Sequence, residues 1–265
     1  MGGLSDPKTN RRLILSSYLL WPRYATSGYR RWLRSKLQNY EKKRANSITP
    51  KRPVIDAPVI YDPNFELLTK GFFFVENFLD ENSYAQLIKA WPKSRWFEPL
   101  TFRKNGKSYD SGFRHNITKN KIDESISFNP TIESVYLALR SSEFCDNLTR
   151  ICGDKIKRES YAVLLTKSYS HSYLTPHKDS VGEDVNLNDS IINIIYFVQA
   201  NGAGWDAGGT SILSDATFSK PIFIPENLNN TALIYRGTAD LWHGFPKIKR
   251  GNYRKTILSA YWAKL

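Results

Sequence analysis

The sequence reads as a mainly β chain. It is expected to form an antiparallel barrel or jelly roll with flanking α-helices, carried behind a basic N-terminal helical extension. Three observations lead there. From Tyr161 to the C-terminus six short strand-like runs follow one another: YAVLLTKSY, SIINIIYFVQ, GTSIL, PIFIP, TALIYR and RKTILSAYWA. Turn signals separate them and no helical periodicity intervenes, which argues against a βαβ fold. Hydrophobic residues make up 41% of the 265 residues and aromatics 14%, enough for a sizeable core and biased toward sheet. The formal charge of +13 is unevenly spread: residues 1–52 hold 13 Lys/Arg and two acids, whereas the other 213 residues carry 25 bases and 23 acids. The basicity therefore belongs to the extension and not to the main domain.

Taken in order, residues 1–64 read as that extension and a linker, and residues 65–265 as one domain. The longest apolar run, LILSSYLLW (Leu13 to Trp21), is far short of the roughly 18 residues that span a bilayer. Arg11 and Arg12 precede it, but Arg23 follows and no A-x-A-like site appears, so export is not expected. In GYRRWLRSKLQNYEKKR, Tyr29, Leu33, Leu37 and Tyr40, with Trp32 beside them, share one helical face. Arg30, Arg31, Arg34 and Lys42 face away. This basic amphipathic helix can pack on the domain or lie on an anionic membrane surface through residues 11–44. Nucleic acid is disfavoured because no binding motif accompanies the charge. SITPKRPVIDAPVIYDPN, with four prolines, reads as a linker or extended strap. GFFFVENF follows as a strand, and Asp80 caps the helix ENSYAQLIKAW, stopped by Pro92. Thr101 to Asn120 reads as a long loop or hairpin. One helix is expected from about Thr131 to Ile151, ending at Gly153. Cys145 and Cys152 lie seven apart on it, about 10 Å of rise, too far for a disulfide between them. Reduced thiols imply a cytoplasmic setting.

Chemistry gathers in LTPHKDS. His177 and Asp179 are two apart on an extended segment, so both side chains can reach one ion. LWHGFPKI supplies a third ligand, His243. Two histidines and one carboxylate with open positions form the facial triad of non-haem Fe(II) oxygenases, although zinc hydrolases use the same set. Eleven residues on, Arg254 and Thr256 share one face of the strand RKTILSAYW. An inward arginine in a hydrophobic strand is costly unless it meets an anion. A dicarboxylate that chelates the metal at one end would meet it at the other, and 2-oxoglutarate is such a ligand. Lys255, between them, is expected to face outward.

The ordered run LLTKSYSHSYLTPHKD, IINIIYFVQ, WDAGGTSIL, LWHGFPKI, RKTILSAYW resembles the iron(II)/2-oxoglutarate-dependent dioxygenases, most closely their prolyl-4-hydroxylase-like branch. The resemblance covers about residues 160–265 and is weaker back to Phe72. It implies a double-stranded β-helix, with His177, Asp179 and His243 on iron. Arg254 would pair with the distal carboxylate of 2-oxoglutarate, helped by Thr256. It also implies a tyrosine on the strand before His-x-Asp that touches the cosubstrate; Tyr169 fits best, with Tyr161 as the other choice. Asn193 is expected to point into the barrel with Ile195 and Phe197, and Gly208-Gly209 to form a tight backbone entry to the next strand. One departure stands out: Ser-His-Ser at 170–172 replaces the usual glycine of the turn before His-x-Asp.

The activity implied is hydroxylation by O2, coupled to conversion of 2-oxoglutarate to succinate and CO2, with ascorbate as a candidate auxiliary reductant. The retained Asp179 favours hydroxylation over halogenation, since related halogenases lose that carboxylate. His171 is expected in a turn away from the site. His115, with Tyr109 and Arg114, is expected in a loop, either solvated or at a substrate mouth. Trp205 and Trp242 read as core packing or pocket wall. The substrate is not legible, because this fold hosts many chemistries on peptidyl, sugar, lipid and metabolite substrates. The competing non-enzymatic reading is a catalytically silent cupin-like binding or scaffold protein at an anionic surface, against which the full triad and Arg254 argue.

Overall fold

A computed structural model of the chain describes residues 35–36, 53–62, 64, 66–94, 97–103, 110–117, 129–179, 189–237 and 241–264. The chain divides into two compact units, Met1–Thr49 and Pro50–Leu265. In the first, Ser35 and Lys36 are described, both helical and exposed. The remainder of the helix expected over Tyr29 to Arg44 lies outside the described residues, as do LILSSYLLW and Tyr109. No described helix is long and apolar enough to cross a membrane.

The second unit contains α1 (Glu66–Thr69), β1 (Phe72–Val75), α2 (Glu81–Ala90), β2 (Glu98–Arg103), β3 (Asp110–Ile117), α3 (Pro130–Leu139), α4 (Ser142–Cys152), β4 (Lys155–His177), β5 (Asp189–Asn201), β6 (Ser211–Leu213), β7 (Pro221–Phe223), β8 (Thr231–Arg236), β9 (Trp242–Phe245) and β10 (Tyr253–Lys264). The strands pair in the order β1-β8-β5-β10-β4-β9-β6-β7, with the β2–β3 hairpin joined to β4 through β3. Every pairing is antiparallel. The sheet curls: Phe72 and Phe74 of β1 meet Phe223 of β7, at the opposite end of the strand order, with ring centroids 5.7 and 5.3 Å apart. The fold is the expected jelly roll.

Its strands are buried on two faces, which is why SIINIIYFVQ and TALIYR read as continuous apolar runs. Ile194, Tyr196, Val198, Ile234 and Ile257 pack outward with Leu87, Ile132 and Leu148 of the helices. Ile195, Phe197, Leu233 and Tyr235 pack inward. Asp80 caps α2 as expected, accepting from Ser83 N at 3.0 Å, and the helix ends at Trp91 before Pro92.

Two features differ from the sequence reading, and two stretches take one of the alternatives it left open. The single helix expected over 131–151 is two, because Ser141 accepts from Phe144 N at 3.1 Å and starts a new helix at Ser142. The second helix stops at Gly153 as expected, and its two buried cysteines form no disulfide. LWHGFP contains a strand, β9, held between β4 and β6. Residues 53–62, read as linker or strap, lie against the domain: Ile55 and Ile60 are buried and Ile60 N donates to Asn147 Oδ1 at 3.2 Å. The stretch 101–120 resolves, where described, into the β2–β3 hairpin.

Candidate active site

His177 ends β4 and stands directly opposite His243 of β9 in the strand register. Gly244 permits this close pairing, since a Cβ there would lie 2.7 Å from the Leu174 carbonyl oxygen. Asp179 follows two residues beyond the ladder. Its Oδ1 lies 3.8 Å from His177 Nε2 and 3.6 Å from His243 Nε2. Among the described residues these three offer ligand atoms all within 4.8 Å of one another. His177 Nδ1 lies 3.0 Å from the Thr175 carbonyl oxygen, so this nitrogen carries the proton and Nε2 presents its lone pair. Burial holds the His243 pKa below the ordinary imidazole value, with the Asp179 charge opposing the shift. A neutral, deprotonated Nε2 is what a metal requires. The donor set therefore fits a divalent ion with N/O preference.

Two further side chains meet Asp179. Asn193 Nδ2 donates to Oδ2 at 2.8 Å, and the Tyr235 hydroxyl donates to the same oxygen at 3.0 Å. The Tyr235 hydroxyl is also 3.2 Å from His243 Nε2. Burial, then the Asp179 charge, raises the Tyr235 pKa well above its usual value, so this phenol is a neutral donor. Asn193 points into the barrel, as alternation along β5 predicts, whereas the sequence does not single out Tyr235.

Arg254 is only 1% exposed. Its Nη1 donates to the Gly208 carbonyl oxygen, and to Thr210 Oγ1 at 2.8 Å. The guanidinium stacks on Phe245, 3.9 Å from the ring centroid. Phe245 is two residues from His243 on β9, so one short strand borders both the guanidinium and the triad. Gly208 adopts φ +84° after the 3₁₀ turn Gly204–Ala207, which aims its carbonyl at Arg254. Thr256 shares the buried face and hydrogen-bonds Thr166 across the strands. Lys255 faces outward, as expected, and donates to Gln199 Oε1 at 2.5 Å.

Tyr169 does not join this group. It faces outward with Lys167, whose Nζ lies 4.8 Å from its ring, and its hydroxyl is 3.3 Å from Ser94 Oγ. The residue directly across from Arg254 is Ser168. Its side chain is fully buried and its hydroxyl makes no hydrogen bond among the described residues. A carboxylate held by Arg254 would accept from it. Tyr161 pairs with Tyr261 at the other end of β4.

His171 is exposed and away from the site, with φ +69° where β4 leaves β10 for β9. This left-handed position falls within the Ser-His-Ser departure. The flanking serines stabilise it: Ser172 Oγ accepts from Tyr169 N at 2.9 Å, and Ser170 Oγ accepts from Gly251 N at 2.8 Å. Trp205 donates to Ser211 Oγ and packs on Phe218, so it braces the turn. Trp242 is half-buried, with Lys178 Nζ 5.3 Å from its ring, and the two adjoin His243 and His177 in sequence. Arg114 and His115 lie on β3, not in a loop, in register with Ser168 and Lys167.

By sequence, no protein-family model and no curated protein matches the chain. Solved structures do. A prolyl hydroxylase from Trichoplax adhaerens, in complex with a hypoxia inducible factor oxygen degradation domain peptide fragment, superposes with TM-score 0.53 at 11% identity, covering 85% of this chain and 91% of that one. A prolyl 4-hydroxylase from Phytophthora capsici gives 0.52 at 12%, covering 92% and 68%. The non-heme alpha ketoglutarate dependent epimerase SnoN from nogalamycin biosynthesis gives 0.51 at 10%, covering 76% and 83%. At these identities the likeness establishes the fold, the double-stranded β-helix that these oxygenases share.

Proposed function

We propose that the chain is an Fe(II)- and 2-oxoglutarate-dependent dioxygenase that hydroxylates a substrate and releases succinate and CO2. One observation carries the reading: two imidazole Nε2 atoms and one carboxylate oxygen converge, and a buried arginine stacks on Phe245, two residues along β9 from His243. Neither a zinc hydrolase nor a silent barrel needs that arginine.

His177, Asp179 and His243 would hold iron, which when bound supplies the activation of dioxygen. Arg254 and Ser168 would take the distal carboxylate of 2-oxoglutarate, fixing the end remote from the metal. Thr256 would line the same wall. Phe197, Ile195 and Leu233 keep the barrel interior apolar, which excludes water and strengthens the Arg254 contact. Half-buried Trp242 and Lys178 would border the substrate approach.

The substrate is a peptidyl side chain or a small molecule. Peptidyl proline is the first class to test, given the peptide bound to the Trichoplax neighbour, whereas the epimerase SnoN argues for a metabolite panel beside it. The +11 extension would bring the domain to an anionic membrane surface. The direct test is succinate formation from 2-oxoglutarate with Fe(II), O2 and ascorbate. Stimulation by one substrate class, abolished in His243→Ala, is expected; unchanged turnover in that variant would overturn the reading.

A further inference from the structure

Asp179 differs from the two histidines in how it is held. His177 and His243 stand opposite each other in the strand ladder, whereas Asp179 lies beyond the end of β4. Its side chain is 31% exposed, against 6% and 4% for the imidazoles. A carboxylate on a strand exit has no backbone pairing to fix its rotation. It can offer either oxygen, or both, to an ion.

Asn193 and Tyr235 supply what the backbone does not. They are directly opposite each other on β5 and β8, so both are borne on paired strands. Both donate to the same atom, Asp179 Oδ2, at 2.8 and 3.0 Å. A carboxylate oxygen has two lone pairs, and these two donors use both. Oδ1 is the oxygen turned toward the two Nε2 atoms. Gly237 preserves the arrangement: a Cβ there would lie 2.8 Å from Asn193 Nδ2. Tyr235 has one hydroxyl proton and two acceptors in reach, Asp179 Oδ2 and His243 Nε2. An ion on Nε2 takes that lone pair, which commits the proton to Asp179.

We infer that Asn193 and Tyr235 are positioning residues that clamp Asp179 through Oδ2, so that it meets the metal through Oδ1 alone. The inference rests on the metal reading above. Its consequence is coordination number. Three single-atom ligands leave open positions for a chelating cosubstrate and O2, and a two-oxygen carboxylate would take one of them.

Cobalt(II) tests this without turnover. The full chain is titrated anaerobically with Co(II), by equilibrium dialysis and visible absorption, as wild type, Tyr235→Phe, Asn193→Ala and His243→Ala. Tyr235→Phe removes one oxygen and near-ultraviolet circular dichroism checks that it is folded; Asn193→Ala tests the other donor independently. Each clamp variant is expected to weaken Co(II) binding about 10- to 100-fold, the usual effect of removing a partner of a metal ligand. Each is also expected to show weaker visible bands, the mark of a higher coordination number as the carboxylate turns to bind through both oxygens. Wild-type affinity and bands in both variants, with uptake lost in His243→Ala, would overturn the clamp alone. A wild-type chain that takes up no Co(II) would overturn the metal reading and the clamp with it.

Discussion

Replacing Arg254 by methionine keeps most of the stem and removes the charge. In the structure the guanidinium is 1% exposed, lies against Phe245 and donates from Nη1 to Gly208 and Thr210. Losing one member of a buried charged pair costs about 2–5 kcal/mol. At about 1.4 kcal/mol per tenfold, that is a roughly 30- to 4,000-fold rise in the 2-oxoglutarate Kd. The upper half of that range is expected, because solvent barely reaches Arg254 and screens little. Folding is expected to move differently. The variant loses the Nη1 hydrogen bonds to Gly208 and Thr210, a cost of about 1–3 kcal/mol, but no longer buries a cation, which offsets much of that cost. Calorimetric titration of 2-oxoglutarate into anaerobic Mn(II)-loaded protein measures the affinity, and urea unfolding of the unloaded protein measures stability. Wild-type affinity in Arg254→Met would refute the reasoning, as would an equal loss in Lys255→Ala.

Ser168→Ala is expected to weaken 2-oxoglutarate by about fivefold in the same titration, one hydrogen bond's worth, while Tyr169→Phe leaves it unchanged. Gly244→Ala places a Cβ 2.7 Å from the Leu174 carbonyl oxygen, so it is expected to lower stability by about 1–3 kcal/mol in urea and to weaken metal binding by separating His243 from His177. His243 has a folded-state pKa below the ordinary 6.5, so protonation favours the unfolded chain. Its contribution is fully present above pH 6.5 and is lost as pH falls below that, and the urea midpoint of the unloaded protein is expected to drop between pH 7.5 and 5.5, less so in His243→Gln. The full chain is expected to sediment with anionic liposomes at low salt and to lose this on deletion of residues 1–52 or at high salt; a truncation that instead unfolds the domain would make the extension part of the fold.

The cluster of His177, Asp179 and His243 was legible because these residues carry rare residue types in a fixed order, and because alternation along an extended segment brings two of them together. The facing of Arg254 was legible for a related reason, since a charge in RKTILSAYW has to have a partner. Tyr169 went wrong on the same alternation. In LLTKSYS the outward Leu165 and the inward Thr166 and Ser168 are all buried, so the apolar pattern does not say which parity points inward. Tyr235 was hidden for another reason. At the end of TALIYR it reads as one more core aromatic, and its hydroxyl meets a carboxylate 56 positions earlier. β9 is four residues with a glycine among them, too short to register. The break between α3 and α4 had a local signal, the serine pair at 141–142, which the continuous apolar periodicity on either side masked.

The central claim is that one site holds Fe(II) and 2-oxoglutarate together. Anaerobic addition of 2-oxoglutarate to the Fe(II)-loaded chain tests it most directly, read by visible absorption. A weak metal-to-ligand charge-transfer band in the wild type, absent in His243→Ala and requiring far more 2-oxoglutarate in Arg254→Met, is the result this account expects. A folded wild-type chain that binds Fe(II) and 2-oxoglutarate yet shows no such band would contradict it.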